Sequence, residues 1–439
     1  MSDADSRPRV MVLVPTTTYR SSDYLAAAES AGVRLVVGCE RKQALQDHAP
    51  GGTCVVPWAD PERARAAVTR FHERFPLSGV VGADDETVEA AAAVADAFGW
   101  PAPSPKAVAV ARDKAALRRV LTESGRRQPE FRTIERRVCL RDRSTGRAAQ
   151  APAWSHWPAI LKPRTLAASR GVMRVDDGRA LDLARARLFA MLADHEAVPD
   201  RRSIRDSALL EAFVPGNEVA FEGLLQAGRL HPLATFDKPH PLNGPTFAET
   251  LYTTPSVAED ETLRGVEAEV VACCAAIGLT EGPVHAELRL AQNGPVLLEL
   301  APRTLGGLCP RVLSFGSGIS LETLVLRHAA GLPIEASDLR GRGGGAVFMI
   351  PVVRGGTLER VRGIERAAAE PGIGGVDITA RPGDVLVPLP EGNRYVGFVW
   401  ARADTATTAR RIVERALSRL TVVVRDGDAL AEVPGDALP

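Results

Sequence analysis

A chain of 439 residues exceeds one ordinary domain and on size alone divides into two to four units with cores of their own. With 54 basic against 54 acidic residues the formal net charge is zero, which excludes the basic footprint of a nucleic-acid binder, and 45% hydrophobic with 25% charged residues excludes a disordered or fibrous chain. No run approaches the roughly 18 consecutive apolar residues of a membrane helix, and "MSDADSRPRVMVLVP" lacks a basic region followed by a long apolar core, so a cytoplasmic protein without a membrane partner is expected.

In chain order, "RVMVLVP" predicts a buried strand, "SSDYLAAAESAG" a serine-capped helix stopped at Gly32, and "VRLVVGC" a second strand. The alternation continues through "TCVVPW", "DPERARAAVTRFHERF", "SGVVGA" and "DDETVEAAAAVADAFG", predicting an N-terminal α/β unit with a parallel sheet. The Pro-rich "WPAPSPKAV" at 100 to 108 marks a boundary. No G-x-G-x-x-G follows the first strand, so no dinucleotide site is expected there. After the helix "ARDKAALRRVLTESG" come shorter strands, "PAILKPR", "ALLEAFVPG", "NEVAFEGLLQ", "LHPLATFDK" and "TFAETLYTTP", then a helix at about 259 to 277 and the paired strands of "GPVHAELRLAQNGPVLLELAPR". From about 336 a third region carries the strands "GGAVFMIPVV" and "RYVGFVWARA" and the helix "DTATTARRIVERALSRL".

Six scattered cysteines (Cys39, Cys54, Cys139, Cys273, Cys274, Cys309) show no C-x-x-C pair or zinc spacing and read as reduced and structural. Only five of the 54 basic residues are lysines (Lys42, Lys106, Lys114, Lys162, Lys238), so lysine retained in an arginine-rich chain hints at a need for a compact ammonium.

The hairpin "HAELRLAQNGPVLLELAPR" raises a question of register. A two-residue Asn-Gly turn sets Glu287 across from Leu300, whereas a three-residue loop with Gly294 in the left-handed region sets Glu287 across from Glu299. Like charges opposed across strands are destabilising unless a cation lies between them, and two carboxylates on rigid strands suit magnesium with phosphates and waters. The second register is therefore the expected one. Upstream, Lys162 ends an apolar strand before "PRTLAASRGV", whose main-chain N–H groups suit a polyphosphate. In "LLEAFVPGNE", Glu211 ends a strand and Glu218 suits ribose hydroxyls.

The ordered set "RDK", "ILKP", "AASRGV", "EAFVPGNE", "HAELR" and "ELAPR" resembles the ATP-grasp superfamily of carboxylate-amine ligases, and most closely its L-amino-acid ligase branch, which makes dipeptides. The resemblance covers nearly the whole chain. It implies an N-terminal parallel α/β domain (1–104), an ATP-grasp domain (105–335) with a lid subdomain at about 127–213, and a C-terminal α+β domain (336–439). It implies ATP and Mg2+, with Lys114 and Lys162 on the α- and β-phosphates, Ser169 in a loop over the β- and γ-phosphates, Glu211 with the main chain of Phe213 and Val214 at adenine, and Glu218 at ribose. Glu287 and Glu299 would bind magnesium, and Arg303 would stabilise the phosphoryl group in transit. Glu249 resembles the acidic residue that holds the first substrate's ammonium, Lys238 belongs to the same wall, and Gly306 and Gly307 stand where some relatives place a bulky aromatic. The partners implied are a small carboxylate and an amine, amino acids foremost, with a homodimer compatible.

The chain departs from the family's E-x-N-x-R pattern at Ala301, which has no oxygen to offer a second magnesium, and carries Ala167 and Ala168 where relatives often have glycine. Cys309 reads as a packing residue and His285 as a solvent-facing or hydrogen-bonded histidine rather than a third metal ligand. Two other readings remain: an ATP-grasp enzyme on a non-amino-acid carboxylate or bicarbonate, and a non-catalytic nucleotide-binding module.

Overall fold

The computed structural model describes residues 6–16, 18–43, 51–136, 154–193 and 202–438. Cys139 and part of the expected lid at 127–213 lie outside the described residues. The strands β1 (Arg9–Leu13), β2 (Arg34–Cys39), β3 (Thr53–Val55) and β4 (Gly79–Gly82) form a parallel sheet in the order β3-β2-β1-β4. Their unbroken apolar runs suit strands buried on both faces. Val10 and Val12 pack with Tyr24 and Ala27 on one side, while Met11 and Leu13 pack with Val68 and Val94 on the other. Helix Ser21–Ala31 stops at Gly32, whose φ is 71° as expected, but no serine caps its start. The cap position is Arg20, whose side chain turns to Ala83 O and Thr304 instead, so a long-range contact has displaced a local one.

Strands β5 (Phe131–Glu135), β6 (Ala159–Pro163), β7 (Met173–Val175) and β8 (Ser207–Ala212) form an antiparallel sheet in the order β5-β8-β6-β7. Leu188 and Leu192 of helix Gly178–Ala193, an element the apolar pattern does not single out, pack into the core of this sheet.

The remaining strands are β9 (Asn217–Gln226), β10 (Arg229–Asp237), β11 (Leu251–Thr254), β12 (Gly282–Ala291), β13 (Gly294–Ala301), β14 (Gly344–Ile350), β15 (Gly356–Arg362), β16 (Ile373–Ile378), β17 (Val385–Leu386), β18 (Gly397–Ala403), β19 (Thr421–Asp426) and β20 (Ala429–Pro434). Eight of them make one antiparallel sheet, β13-β12-β9-β10-β11-β14-β18-β16. Helix Asp260–Ile277 packs Val266, Val270 and Ile277 into a core with Val219, Val284 and Leu297. A second antiparallel sheet, β17-β15-β19-β20, closes the C-terminal part around helix Ala406–Leu417.

The β12–β13 hairpin reaches the expected pairing by an unexpected route. Ala291 pairs with Gly294, so the turn consists of Gln292 and Asn293, and neither an Asn-Gly turn nor a three-residue loop forms. The register then shifts between Glu287 and Leu288: Leu288 faces Leu297, Glu287 faces Glu299, and Leu298 is the extra residue. Such a bulge re-aims the side chains beyond it, and here it returns two glutamates to one face. The carbonyl of Leu298 accepts from the Arg118 guanidinium at 2.7 Å.

Candidate active site

Helix Lys114–Glu123 begins with Asp113, whose carboxylate accepts from Ala115 N at 3.0 Å and is gripped by the Arg164 guanidinium. This cap fixes Lys114, whose Nζ donates to Leu166 O at 2.9 Å and lies 3.4 Å from Glu299. Burial pushes the Asp113 carboxyl up, but Arg164 and the helix N–H groups outweigh it and hold the group below the usual range. A depressed carboxyl contributes stability above its unfolded pKa of about 3.9 and loses it as pH falls through the folded value. Asp113→Ala should therefore cost about 1 kcal/mol at pH 7, with the gap to the parent chain narrowing from pH 5 toward pH 3, as urea unfolding at several pH values would read.

One turn along the same helix, Arg118 is almost wholly buried and donates to Glu211 at 2.7 Å, while Lys162 meets the other Glu211 oxygen at 2.7 Å. Burial raises the Glu211 pKa, but the two cations prevail and keep the carboxyl low. Phe213 lies under the guanidinium groups of Arg174 and Arg289, and its N–H donates to Pro158 O at 2.9 Å, so its main chain can meet a purine only through the carbonyl.

Lys238, expected in a substrate wall, sits at the centre. Its ammonium contacts Glu218 at 2.7 Å, Glu287 at 2.8 Å and Glu249. The carboxylates of these three glutamates lie within 4.8 Å of one another, a grouping that does not include Glu299. Glu218, expected at ribose, is also held by Arg289 at 2.9 Å. His285 hydrogen-bonds Glu222 at 2.7 Å and lies 3.6 Å from Glu287. Burial pulls its pKa down, yet the two carboxylates lift it to about 9. The Glu249 pKa rises as well, but here burial is the first cause: burial and the Glu287 charge outweigh Lys238 and push it up to about 7.

Arg303 donates to Asp85 at 2.6 Å and to Thr304 O at 2.9 Å, and its buried Nε has no partner among the described residues. Asp85 follows β4 and also pairs with Arg112, so the carboxyl end of the N-terminal sheet supplies the anchor for this arginine. Tyr19, in the loop after β1, accepts from Gly307 N at 2.8 Å. Gly307 has a φ of 63° and a Cβ there would strike Met349, whereas a Cβ at Gly306 meets nothing within 4 Å. Room for a larger group thus exists at one glycine and not at the other.

The loop containing Ser169 adopts positive φ at two residues that are not glycine, 55° at Ala168 and 54° at Ser169. Such backbone persists only where its surroundings hold it. Gly171 N donates to Pro390 O, Arg170 to Glu391 O, and Arg187 to the Glu391 carboxylate at 2.8 Å. Arg118, Asp85 and Glu222 are the site residues that motif reading passes over. For Arg118 a signal exists, since it stands four residues from Lys114 and shares its helix face.

Three family models match the chain: the ATP-grasp N-terminal domain over residues 25–102, the ATP-grasp domain over 155–311, and the L-amino acid ligase C-terminal domain 2 over 348–425. The chain is 26% identical over 429 residues to the uncharacterized protein y4rH of Sinorhizobium fredii, covering 95% of this chain and 84% of that protein. It is 29% identical over 255 residues to carnosine synthase 1 of Gallus gallus, covering 57% of this chain but only 27% of that protein. In fold it matches the crystal structure of an L-amino acid ligase from Bacillus licheniformis with a TM-score of 0.76 at 23% identity, over 96% of this chain and 99% of that one. No helix among the described residues is long and apolar enough to cross a membrane. Taken with the lysines, carboxylates and arginine brought to one sheet end, these matches establish that the chain belongs to the ATP-grasp superfamily of carboxylate-amine ligases.

Proposed function

We propose that the protein uses ATP to join the carboxylate of an amino acid to an amine, forming a dipeptide-type amide with release of ADP and phosphate. The observation that carries this is the pairing of Glu287 with Glu299 across the hairpin, with Lys238 2.8 Å from the first, Lys114 3.4 Å from the second, and Arg303 near enough to Glu299 to feel its charge. A carboxylate oxygen of the donor attacks the γ-phosphorus, the bond to the ADP oxygen breaks, and an acyl phosphate results. The amine nitrogen then forms the C–N bond, the C–O bond to phosphate breaks with its electron pair, and a proton leaves the nitrogen.

Glu287 and Glu299 fit a magnesium ion by their donor chemistry, since magnesium takes few carboxylates and completes its shell with phosphates and waters. When bound, the ion neutralises phosphate charge. Ala301, buried across from His285, adds no oxygen to that set. Lys114 and Lys162 serve the α- and β-phosphates, the loop of Ser169 covers the β- and γ-phosphates, Glu211 with the main chain of Phe213 and Val214 meets adenine, and Glu218 meets ribose. Glu249 takes the donor's ammonium: its carboxylate shares the Lys238 ammonium with Glu218 and Glu287. The division into 1–104, 105–335 and 336–439 and a cytoplasmic location belong to the same proposal.

ADP release measured across pairs of amino acids, with bicarbonate and simple carboxylates as controls, tests it. Turnover that requires an amino acid as acyl donor and yields an amide of the expected mass is the outcome anticipated. Turnover with bicarbonate alone would overturn it.

A further inference from the structure

Beyond the carboxylate cluster lies a half-open cavity of about 280 Å³, between the 167–171 loop, the segment entering β11, and the residues that follow β14 and precede β18. Ala168, Ala248, Val352, Val353, Val387 and Leu389 supply its apolar wall. Val353 and Val387 are 45% and 41% exposed, apolar surface that the fold itself leaves uncovered. The charged residue in the wall, Arg394, donates to Asp384 at 2.5 Å. Tyr395 lines the same cavity and hydrogen-bonds the main chain of Glu249.

The position of the cavity matters as much as its lining. Ala248 faces it, while the next residue, Glu249, reaches Lys238. An amino acid whose ammonium rests on Glu249 has this apolar space one residue away to receive its side chain. The volume lies just under the range of about 300–1,000 Å³ typical of small-molecule sites, which suits one side chain and is too small for a peptide or a second nucleotide.

We infer that this cavity receives the side chain of the acyl-donor amino acid and that the donor is bulky and apolar, in the class of leucine and phenylalanine. The inference rests on the ligase reading above and on Glu249 as the ammonium acceptor. It makes the C-terminal part of the chain, rather than the phosphate-binding loop alone, a determinant of substrate choice.

The test uses the full chain with ATP, magnesium and a fixed acceptor, and varies the donor over leucine, phenylalanine, alanine, serine and aspartate. ADP release gives kcat/KM, and fragmentation of the product identifies its N-terminal residue. Leucine and phenylalanine should exceed alanine by on the order of 100-fold, because each buried methylene contributes roughly fourfold and leucine carries three more carbons than alanine. Val387→Trp and Val353→Trp, both at exposed positions, should fill the cavity and reverse that preference, with KM for ATP and melting temperature near those of the parent. Turnover with amino acids but no preference for bulk, or an unchanged leucine-to-alanine ratio in both folded variants, would overturn the cavity assignment and leave the ligase intact. Turnover confined to bicarbonate or a carboxylate that is not an amino acid would overturn the ligase reading and this inference with it.

Discussion

Replacing Arg303 with alanine is expected to lower kcat by about 10³-fold, some 4 kcal/mol, while KM for ATP changes little. The guanidinium is buried and Asp85 holds it by a charge-assisted bond at 2.6 Å, so it reaches the site already aimed. Burial opposes its charge, but Asp85 and neighbouring carboxylates more than compensate and keep it protonated. Its Nε has no partner among the described residues and is the donor offered to a phosphoryl oxygen. A group that acts on charge appearing only in the transition state shows its loss in kcat. Arg303→Lys should recover only part of the rate, because an ammonium keeps the charge but lacks the planar fork. Single-turnover ADP formation measures this directly; near-parental kcat in Arg303→Ala would remove the arginine from the mechanism.

Lys238→Met should have the largest effect on stability, about 3 to 5 kcal/mol at pH 8, together with loss of turnover. The lysine is the common cation of Glu218, Glu249 and Glu287, and its own pKa stands well above the ordinary range because these charges outweigh its burial. Without it Glu249 loses its cation, while Arg289 still holds Glu218 and His285 still stands beside Glu287. The folded Glu249 pKa then stands further above the unfolded one, so the folded chain binds more protons than the unfolded and stability falls as pH rises. The destabilisation should consequently be smaller at pH 5 than at pH 8. Adding Glu249→Gln, which deletes the carboxyl already pushed up to about 7, should recover part of the loss at pH 8. Urea unfolding of the single and double variants at both pH values would check the sign; a destabilisation growing toward acid would contradict the charge account.

Elements built from continuous apolar runs were legible because burial on both faces leaves a plain mark, as in Val10 to Leu13 of β1. The ordered motif set likewise placed Lys114, Glu287, Glu299 and Arg303 near one another. Contacts between distant segments were not legible. Asp85 and Arg303 are 218 residues apart, and Lys238 reaches glutamates 11, 20 and 49 residues away, separations that carry no periodicity. In the β12–β13 hairpin the pairing of Glu287 with Glu299 is as expected, but the turn and the bulge that produce it were not legible, for a related reason. Turn chemistry names a loop, but the bulge at Leu298 follows from Arg118, which takes the freed carbonyl and belongs to a helix 180 residues earlier.

The eight-stranded sheet runs without interruption from β13 to β16, joined in its middle by four residue pairs between β11 and β14, Leu251 with Phe348 through Thr254 with Gly345. The segments that match the ATP-grasp domain and the ligase C-terminal domain are therefore halves of one hydrogen-bonded layer rather than beads on a string. Separating them would bare an unpaired strand edge beside Leu251 and Tyr252, both almost fully buried now. Recombination between such chains cannot trade the C-terminal part as an independent cassette: whatever it specifies about the substrate travels with the strands that carry Glu218 and Glu287.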